Sequence, residues 1–157
     1  MSYNTQHHTF VIDRLVKAPP ALVFSAWATE AGKAAWFAAP AGEWTPIERH
    51  FDFREGGSER LKGRWNSSGV VSDFQCQYHD IVADQRICYT YDMYVADKKI
   101  SVSLATVTFT PAGADTHLTL TEQVVHFDGY PTPEDRETGT AFLMDKAIAY
   151  IESTLVV

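Results

Sequence analysis

The sequence lacks the features that would place it in a membrane or on nucleic acid. No apolar run approaches the ~20 residues needed to cross a bilayer, which excludes a membrane-spanning helix. The opening residues, Met1 to Thr9, are polar and hold no apolar signal core, so the expected location is the cytoplasm. Basic residues are in deficit, 13 Lys and Arg against 20 Asp and Glu for a net charge of −7, and they are scattered rather than gathered into a stripe. Nucleic acid is therefore not an expected partner, because binding it relies on clustered cations that release counterions. Only two cysteines occur, Cys76 and Cys88, and in a reducing compartment they read as buried free thiols rather than a bridge.

Recognisable catalytic machinery is missing too. There is no nucleophile elbow, phosphate loop, dinucleotide fingerprint or zinc-protease helix. Cys76 and His79 have the spacing of half a metal site, but no second pair completes it, so neither a metal nor a cofactor is expected. His126 and Asp128 are close enough in sequence to form a local hydrogen-bonded pair, and His7 and His8 fall near a terminus expected to be mobile. Asn66-Ser67-Ser68 matches a glycosylation acceptor, which has no meaning without secretion. Internal repeats and low-complexity segments are absent.

What remains is an ordinary globular composition, 45% hydrophobic and 21% charged, in a chain of 157 residues that suits one domain over 1–157. The one long segment with sustained helical periodicity is Thr132 to Leu155. Thr140, Leu143, Met144, Ala147, Ile148, Ile151 and Leu155 fall on one stripe, and Asp145, Lys146, Ala149, Glu152 and Ser153 fall opposite. Thr132 suits the cap, Pro133 the first helical position, and Glu134 and Asp135 the positive end of the dipole. An amphipathic helix at the end of a strand-rich chain needs a sheet to cover it.

The preceding chain supplies that sheet. His8 to Val16 reads as a first strand, ended by Ala18-Pro19-Pro20; Ala21 to Ala28 and Thr29 to Phe37 read as two short helices joined by a tight turn. A loop over Ala38 to Trp44 leads to strands at Ile47 to Phe53, Ser58 to Arg64, Val70 to His79, Gln85 to Tyr94, Ile100 to Thr110 and His117 to Val125. Turn residues separate them, including Arg54-Glu55-Gly56-Gly57 and Asn66-Ser67-Ser68-Gly69. In the last strand Leu118, Leu120 and Glu122 point one way and Thr119, Thr121 and Gln123 the other.

Several of these segments together resemble a known family. Ala18-Pro19 stands before Val23-Phe24-Ser25-Ala26-Trp27; Trp36-Phe37-Ala38-Ala39-Pro40 follows; and Asp52-Phe53-Arg54-Glu55-Gly56-Gly57 forms an Asp-x-Arg-x-Gly-Gly turn. Asp80-Ile81 precedes Arg86-Ile87-x-Tyr89-Thr90, a Thr-x-Leu-x-Leu-Thr-Glu strand covers Thr116 to Glu122, and Gly139 lies in the last helix. From about Val11 to Ile151 the chain resembles the START-like (SRPBCC) superfamily, and within it the branch of homologues of the activator of a heat-shock-protein ATPase, the AHSA-like proteins. The resemblance implies an α+β, helix-grip (START/Bet v-like) fold: a curved antiparallel sheet wrapped around the C-terminal helix, with a cavity between them. Many relatives place Trp after the helix glycine, whereas Gly139 is here followed by Thr140, which should leave room and one polar contact inside.

The candidate site residues follow from this picture. Most of the large aromatics, such as Trp27, Trp44, Trp65, Phe74 and Tyr94, are expected to be core. Trp36, Phe37, Phe53, Tyr78, Tyr89, Tyr91 and Phe109, with Thr140, Leu143, Met144 and Ala147 from the helix, are the expected ligand contacts, together with Glu122. By strand parity Glu122 points at the helix, where an unpaired carboxylate is costly and can trade protons or hold a polar ligand group. The competing account is that the strand has ended by Glu122, or that Arg54, Arg60 or Arg64 pairs with it. Arg54 is otherwise a brace for neighbouring acids.

Three functional readings compete. One is a module that binds a small hydrophobic or aromatic molecule, with Glu122, Tyr91 and Thr140 as polar contacts. The second is an enzyme resembling polyketide cyclases and dehydratases, with Glu122 as acid or base. The third is a co-chaperone that binds a heat-shock ATPase. A homodimer through an edge strand is compatible with all three.

Overall fold

The computed structural model describes residues 3–128 and 132–155. The elements run in the order β1 (Thr5–Val16), α1 (Pro20–Ala28), α2 (Glu30–Trp36), β2 (Trp44–Phe51), β3 (Ser58–Trp65), β4 (Val71–Val82), β5 (Arg86–Val95), β6 (Lys98–Ala112), β7 (Asp115–Phe127) and α3 (Pro133–Ser153). The seven strands form one antiparallel sheet in the order β1-β7-β6-β5-β4-β3-β2. Hairpins connect neighbours from β2 to β7, and β1 closes onto β7 from the far end of the sequence. This is the helix-grip architecture expected from the sequence: a curved sheet with three helices on its inner face.

Local chemistry explains the elements. β7 alternates without interruption, so Thr116, Leu118, Leu120, Glu122, Val124 and His126 are all buried on the inner face. The threonine cap of α3 is made, with Thr132 Oγ1 accepting from the Asp135 amide at 3.3 Å. Thr29 does the same for α2 through Gly32. Arg14 and His8 on β1 reach Asp145 and Glu137 on α3, and Lys146 Nζ donates to the Ala38 carbonyl at 2.7 Å. α3 is thus tied to β1 on one side and to the segment after α2 on the other. The aromatic core packs at that end, Trp27 against Trp36 and Phe109, and Phe24 against Phe53 and Phe109.

Several expectations are corrected. Leu155 does not share the buried stripe; the helix stops at Ser153 and Leu155 is 45% exposed beyond it. The second strand begins at Trp44 rather than Ile47 and ends at Phe51, leaving Phe53 in the approach to the Gly56-Gly57 turn. Pro46 is tolerated there because β2 is an edge strand, and the register shifts between Pro46 and Glu48. Trp44 starts that strand because β3 makes room for its ring: a Cβ on Gly63 would fall inside the indole.

The two cysteines are free, Cys76 buried and Cys88 half-buried. They lie on opposite faces of the sheet, since Cys76 shares parity with Tyr78 and Cys88 alternates with Ile87 and Tyr89. His126 does not pair with Asp128, which instead accepts from the Asn4 amide at 3.0 Å. His8, expected near a mobile end, lies within β1 and contacts Glu137 at 3.2 Å. Among the described residues no three metal-type ligands cluster, and no helix is long and apolar enough to cross a membrane.

Candidate functional site

Strand register lays out the inner face as a grid. Glu59, Cys76, Tyr91, Ser103 and Val124 form one row across β3 to β7. Leu61, Phe74, Met93, Ser101 and His126 form the row on one side, and Tyr78, Tyr89, Ala105 and Glu122 the row on the other. A bulge opposite Met93 and Tyr94 lets the consecutive residues Ile100 and Ser101 both turn inward, which regular pleating forbids.

Between this grid and α3 lies a cavity of about 460 Å³. All four tryptophans, Trp27, Trp36, Trp44 and Trp65, contribute to its wall, with Phe37, Phe74, Tyr89, Tyr91 and Phe142. Leu61, Met93, Leu120, Leu143 and Met144 complete an apolar lining interrupted by a few charged groups, chiefly Lys33, Glu122 and Arg136. A mostly apolar concavity with a few convergent polar groups is the usual form of a small-molecule site.

One polar station sits on β5, β6, β7 and the first turn of α3. Glu122 is 1% exposed. Its Oε2 accepts from Tyr91 Oη at 2.7 Å and from Ser103 Oγ at 3.0 Å. Arg136 stands over all three: Nη1 lies 3.4 Å from Glu122 Oε2 and 3.0 Å from Tyr91 Oη, and Nη2 donates to Ser101 Oγ at 2.6 Å. Burial, and then the Glu122 carboxylate, push the Tyr91 phenol above its ordinary range, so it stays a donor. No described residue hydrogen-bonds Glu122 Oε1, and Glu122 is part of the cavity wall.

The carboxylate is therefore not unpaired, and its partner is none of the arginines considered from the sequence. Arg54 braces Asp52, as its alternative reading had it, and Arg60 pairs with Glu48 and Asp73. Beside the station His126 is wholly buried, and neither ring nitrogen has a hydrogen-bond partner. Burial foremost, then the charges of Arg136 and His8, hold its pKa below the ordinary histidine value.

A second buried charge pair stands on the other side. Lys33 Nζ, on α2, donates to Glu59 Oε1 at 2.8 Å, and Tyr78 Oη donates to the same oxygen. The Lys33 and Glu59 side chains are 7% and 2% exposed. The ammonium also lies 4.8 Å from the Phe37 ring centre and 5.3 Å from that of Trp36. Burial, then Glu59, push the Tyr78 phenol far up, and burial pushes the Cys76 thiol up to about 12.

Of the expected ligand contacts, Trp36, Phe37, Tyr89, Tyr91, Glu122, Thr140, Leu143 and Met144 lie on the cavity wall. Four do not. Phe53 stacks on Phe51 and meets Phe24, and Phe109 packs between Phe24 and Trp27. Tyr78 is turned to Glu59, and Ala147 is sealed in the contact face of α3. Sequence reasoning missed Arg136, Ser101, Ser103, Lys33 and Glu59. For Glu59 a signal existed, since it shares parity with Leu61 on a strand; for Arg136 and Lys33 only the docking of their helices shows where they reach.

The chain matches the family model described as Activator of Hsp90 ATPase homolog 1-like protein over residues 17–155. It is similar to an uncharacterized protein from Rhizobium leguminosarum, at 38% identity with a TM-score of 0.91, over 98% of this chain and 99% of that one. It is also similar to the Mll3558 protein from Rhizobium loti, at 38% identity and a TM-score of 0.85, over 93% of this chain and 98% of the other. An AHSA1-like protein from Aeromonas hydrophila shares the fold at 19% identity and a TM-score of 0.69, over 94% of both chains. No protein of curated function matches.

Proposed function

The chain belongs to the Activator of Hsp90 ATPase homolog 1-like family, and on that premise we propose that it binds a small, largely hydrophobic molecule between the sheet and α3. The observation that carries this reading is the cavity of about 460 Å³, walled by aromatic and aliphatic side chains and supplied with a fixed polar station. The wall offers apolar area and ring faces, which supply most of the affinity for such a molecule. Glu122 Oε1 and the Arg136 guanidinium orient it. Thr140, a small residue on the cavity wall, keeps the space under α3 open.

Native mass spectrometry on protein purified without denaturation tests this directly. A stoichiometric adduct that leaves on unfolding is the expected result. Calorimetric titration of the emptied protein with naphthalene derivatives should then give binding that Thr140→Trp abolishes by filling the space. If the Thr140→Trp protein binds as well as the original, the ligand is not under α3 and the proposal fails.

One contact favours a second reading, proton transfer of the kind the cyclases and dehydratases of the superfamily perform. Tyr91 donates to Glu122 and both are buried in the cavity wall, so a carboxylate and a phenol are within reach of one bound substrate. On this reading Glu122→Gln abolishes turnover of a polyketide-like substrate and leaves its binding measurable; unchanged turnover would remove Glu122 as the proton carrier. The family name brings a third, association with a heat-shock ATPase, which a pull-down at micromolar concentration tests.

A further inference from the structure

Two buried charge pairs reach the cavity wall, one through Lys33 and the other through both Glu122 and Arg136, and both are internally neutral. Lys33 is matched by Glu59 at 2.8 Å and Arg136 by Glu122 at 3.4 Å. Neither pole therefore holds a spare cation. A ligand carboxylate or phosphate entering either end would surrender its hydration to a site whose positive charge is already neutralised, which is strongly unfavourable.

The two poles nonetheless offer different hydrogen-bonding functions. At the α2 end Lys33 has three N–H donors, one of them committed to Glu59, and Lys33 is part of the cavity wall. That pole can donate to a ligand oxygen. At the α3 end Glu122, a wall residue, takes Tyr91, Ser103 and Arg136 on Oε2, and no described residue hydrogen-bonds Oε1. That pole can accept from a ligand hydroxyl. Between them run the rings of Phe37, Phe74 and Tyr91, each 4.8–4.9 Å from the next. Glu59 and Tyr91 share a row and stand two strands apart, on the order of 10 Å.

Resting on the binding reading above, we infer that the ligand class is an uncharged, elongated aromatic molecule with a carbonyl-type acceptor at the Lys33 end and a hydroxyl donor at the Glu122 end. Hydroxyaryl ketones and esters have this chemistry. Simple aromatic hydrocarbons lack both handles, and hydroxyaryl acids carry a charge that the cavity does not match.

Four naphthalene probes separate these demands: 6-acetyl-2-naphthol, 2-acetylnaphthalene, 2-naphthol and 6-hydroxy-2-naphthoate. Because all four tryptophans line the cavity, quenching of intrinsic fluorescence gives each Kd on the intact chain. The expected order places 6-acetyl-2-naphthol about three- to tenfold tighter than either probe lacking one handle, the range of a single net hydrogen bond. The hydroxynaphthoate should be weakest. Lys33→Met alone strands Glu59, so the paired variant Lys33→Met/Glu59→Met is used beside it; it should erase the preference for the acetyl group and keep that for the hydroxyl.

Equal affinities for the three neutral probes would overturn the two-pole inference and leave the binding reading standing. Tightest binding of the hydroxynaphthoate would overturn the claim of an uncharged ligand. Failure of all four to bind would overturn both.

Discussion

If Arg136 is the countercharge of Glu122, removing both should cost less than the sum of removing each alone. The guanidinium and carboxylate are 3.4 Å apart with side chains 11% and 2% exposed. At an effective dielectric of 20 that separation corresponds to about 5 kcal/mol of gross attraction, most of it offset by desolvation. Arg136→Met leaves the carboxylate in an apolar wall with only the Tyr91 and Ser103 hydroxyls, and should destabilise by about 3 kcal/mol, the lower end for a broken buried pair. Glu122→Gln keeps an oxygen for those hydroxyls but strands the guanidinium, for a loss of about 2 kcal/mol. The double variant has no buried charge at the station and should lose only about 2 kcal/mol, a coupling of roughly 3 kcal/mol. Urea denaturation at neutral pH, followed by tryptophan fluorescence and circular dichroism, measures each leg. In heat the Arg136→Met change corresponds to roughly 6–12 °C for a chain of this size. Additivity of the single variants to within about 0.5 kcal/mol would refute the pairing.

Three further outcomes follow from other parts of the fold. Because His126 has its folded pKa held below the ordinary value of about 6.5, the unfolded chain binds its proton first; stability should be full above that pH and fall below it by up to about 1.4 kcal/mol per unit, and His126→Leu should flatten this limb of the pH–stability curve. An unaltered profile would show that the group does not titrate differentially. Gly63→Ala should displace the Trp44 ring, shift the emission spectrum and destabilise by about 1–3 kcal/mol in urea titrations; a variant with wild-type emission and stability would contradict the packing. With its thiol pushed up to about 12 by burial, Cys76 should resist a disulfide reagent at pH 8 on the native protein, leaving Cys88 as the reactive site. Labelling of both thiols before unfolding would refute that.

The sequence alone determined what depends on near neighbours. Alternation in β7 fixed that Glu122 faces inward with Leu118 and Leu120, and a 3.6-residue period fixed the face of α3 carrying Met144, Ala147 and Ile151. The segments around Trp36 and the Asp52 to Gly57 turn carried the fold through resemblance. Periodicity says which face a side chain takes, yet not what meets it there. That Arg136 reaches Ser101, Ser103, Tyr91 and Glu122 depends on the register of β5, β6 and β7 and on where α3 lands across them. The same holds for Lys33 on α2 finding Glu59 on β3, 26 positions away in the chain. Which aromatics line the cavity was likewise undecided, because Phe53, Tyr78 and Phe109 have the chemistry of Tyr89 and Phe37 and differ only in what packs against them. The buried charges of Glu122 and Glu59, too costly to leave alone, are matched by long-range pairing, and only the tertiary structure supplies it.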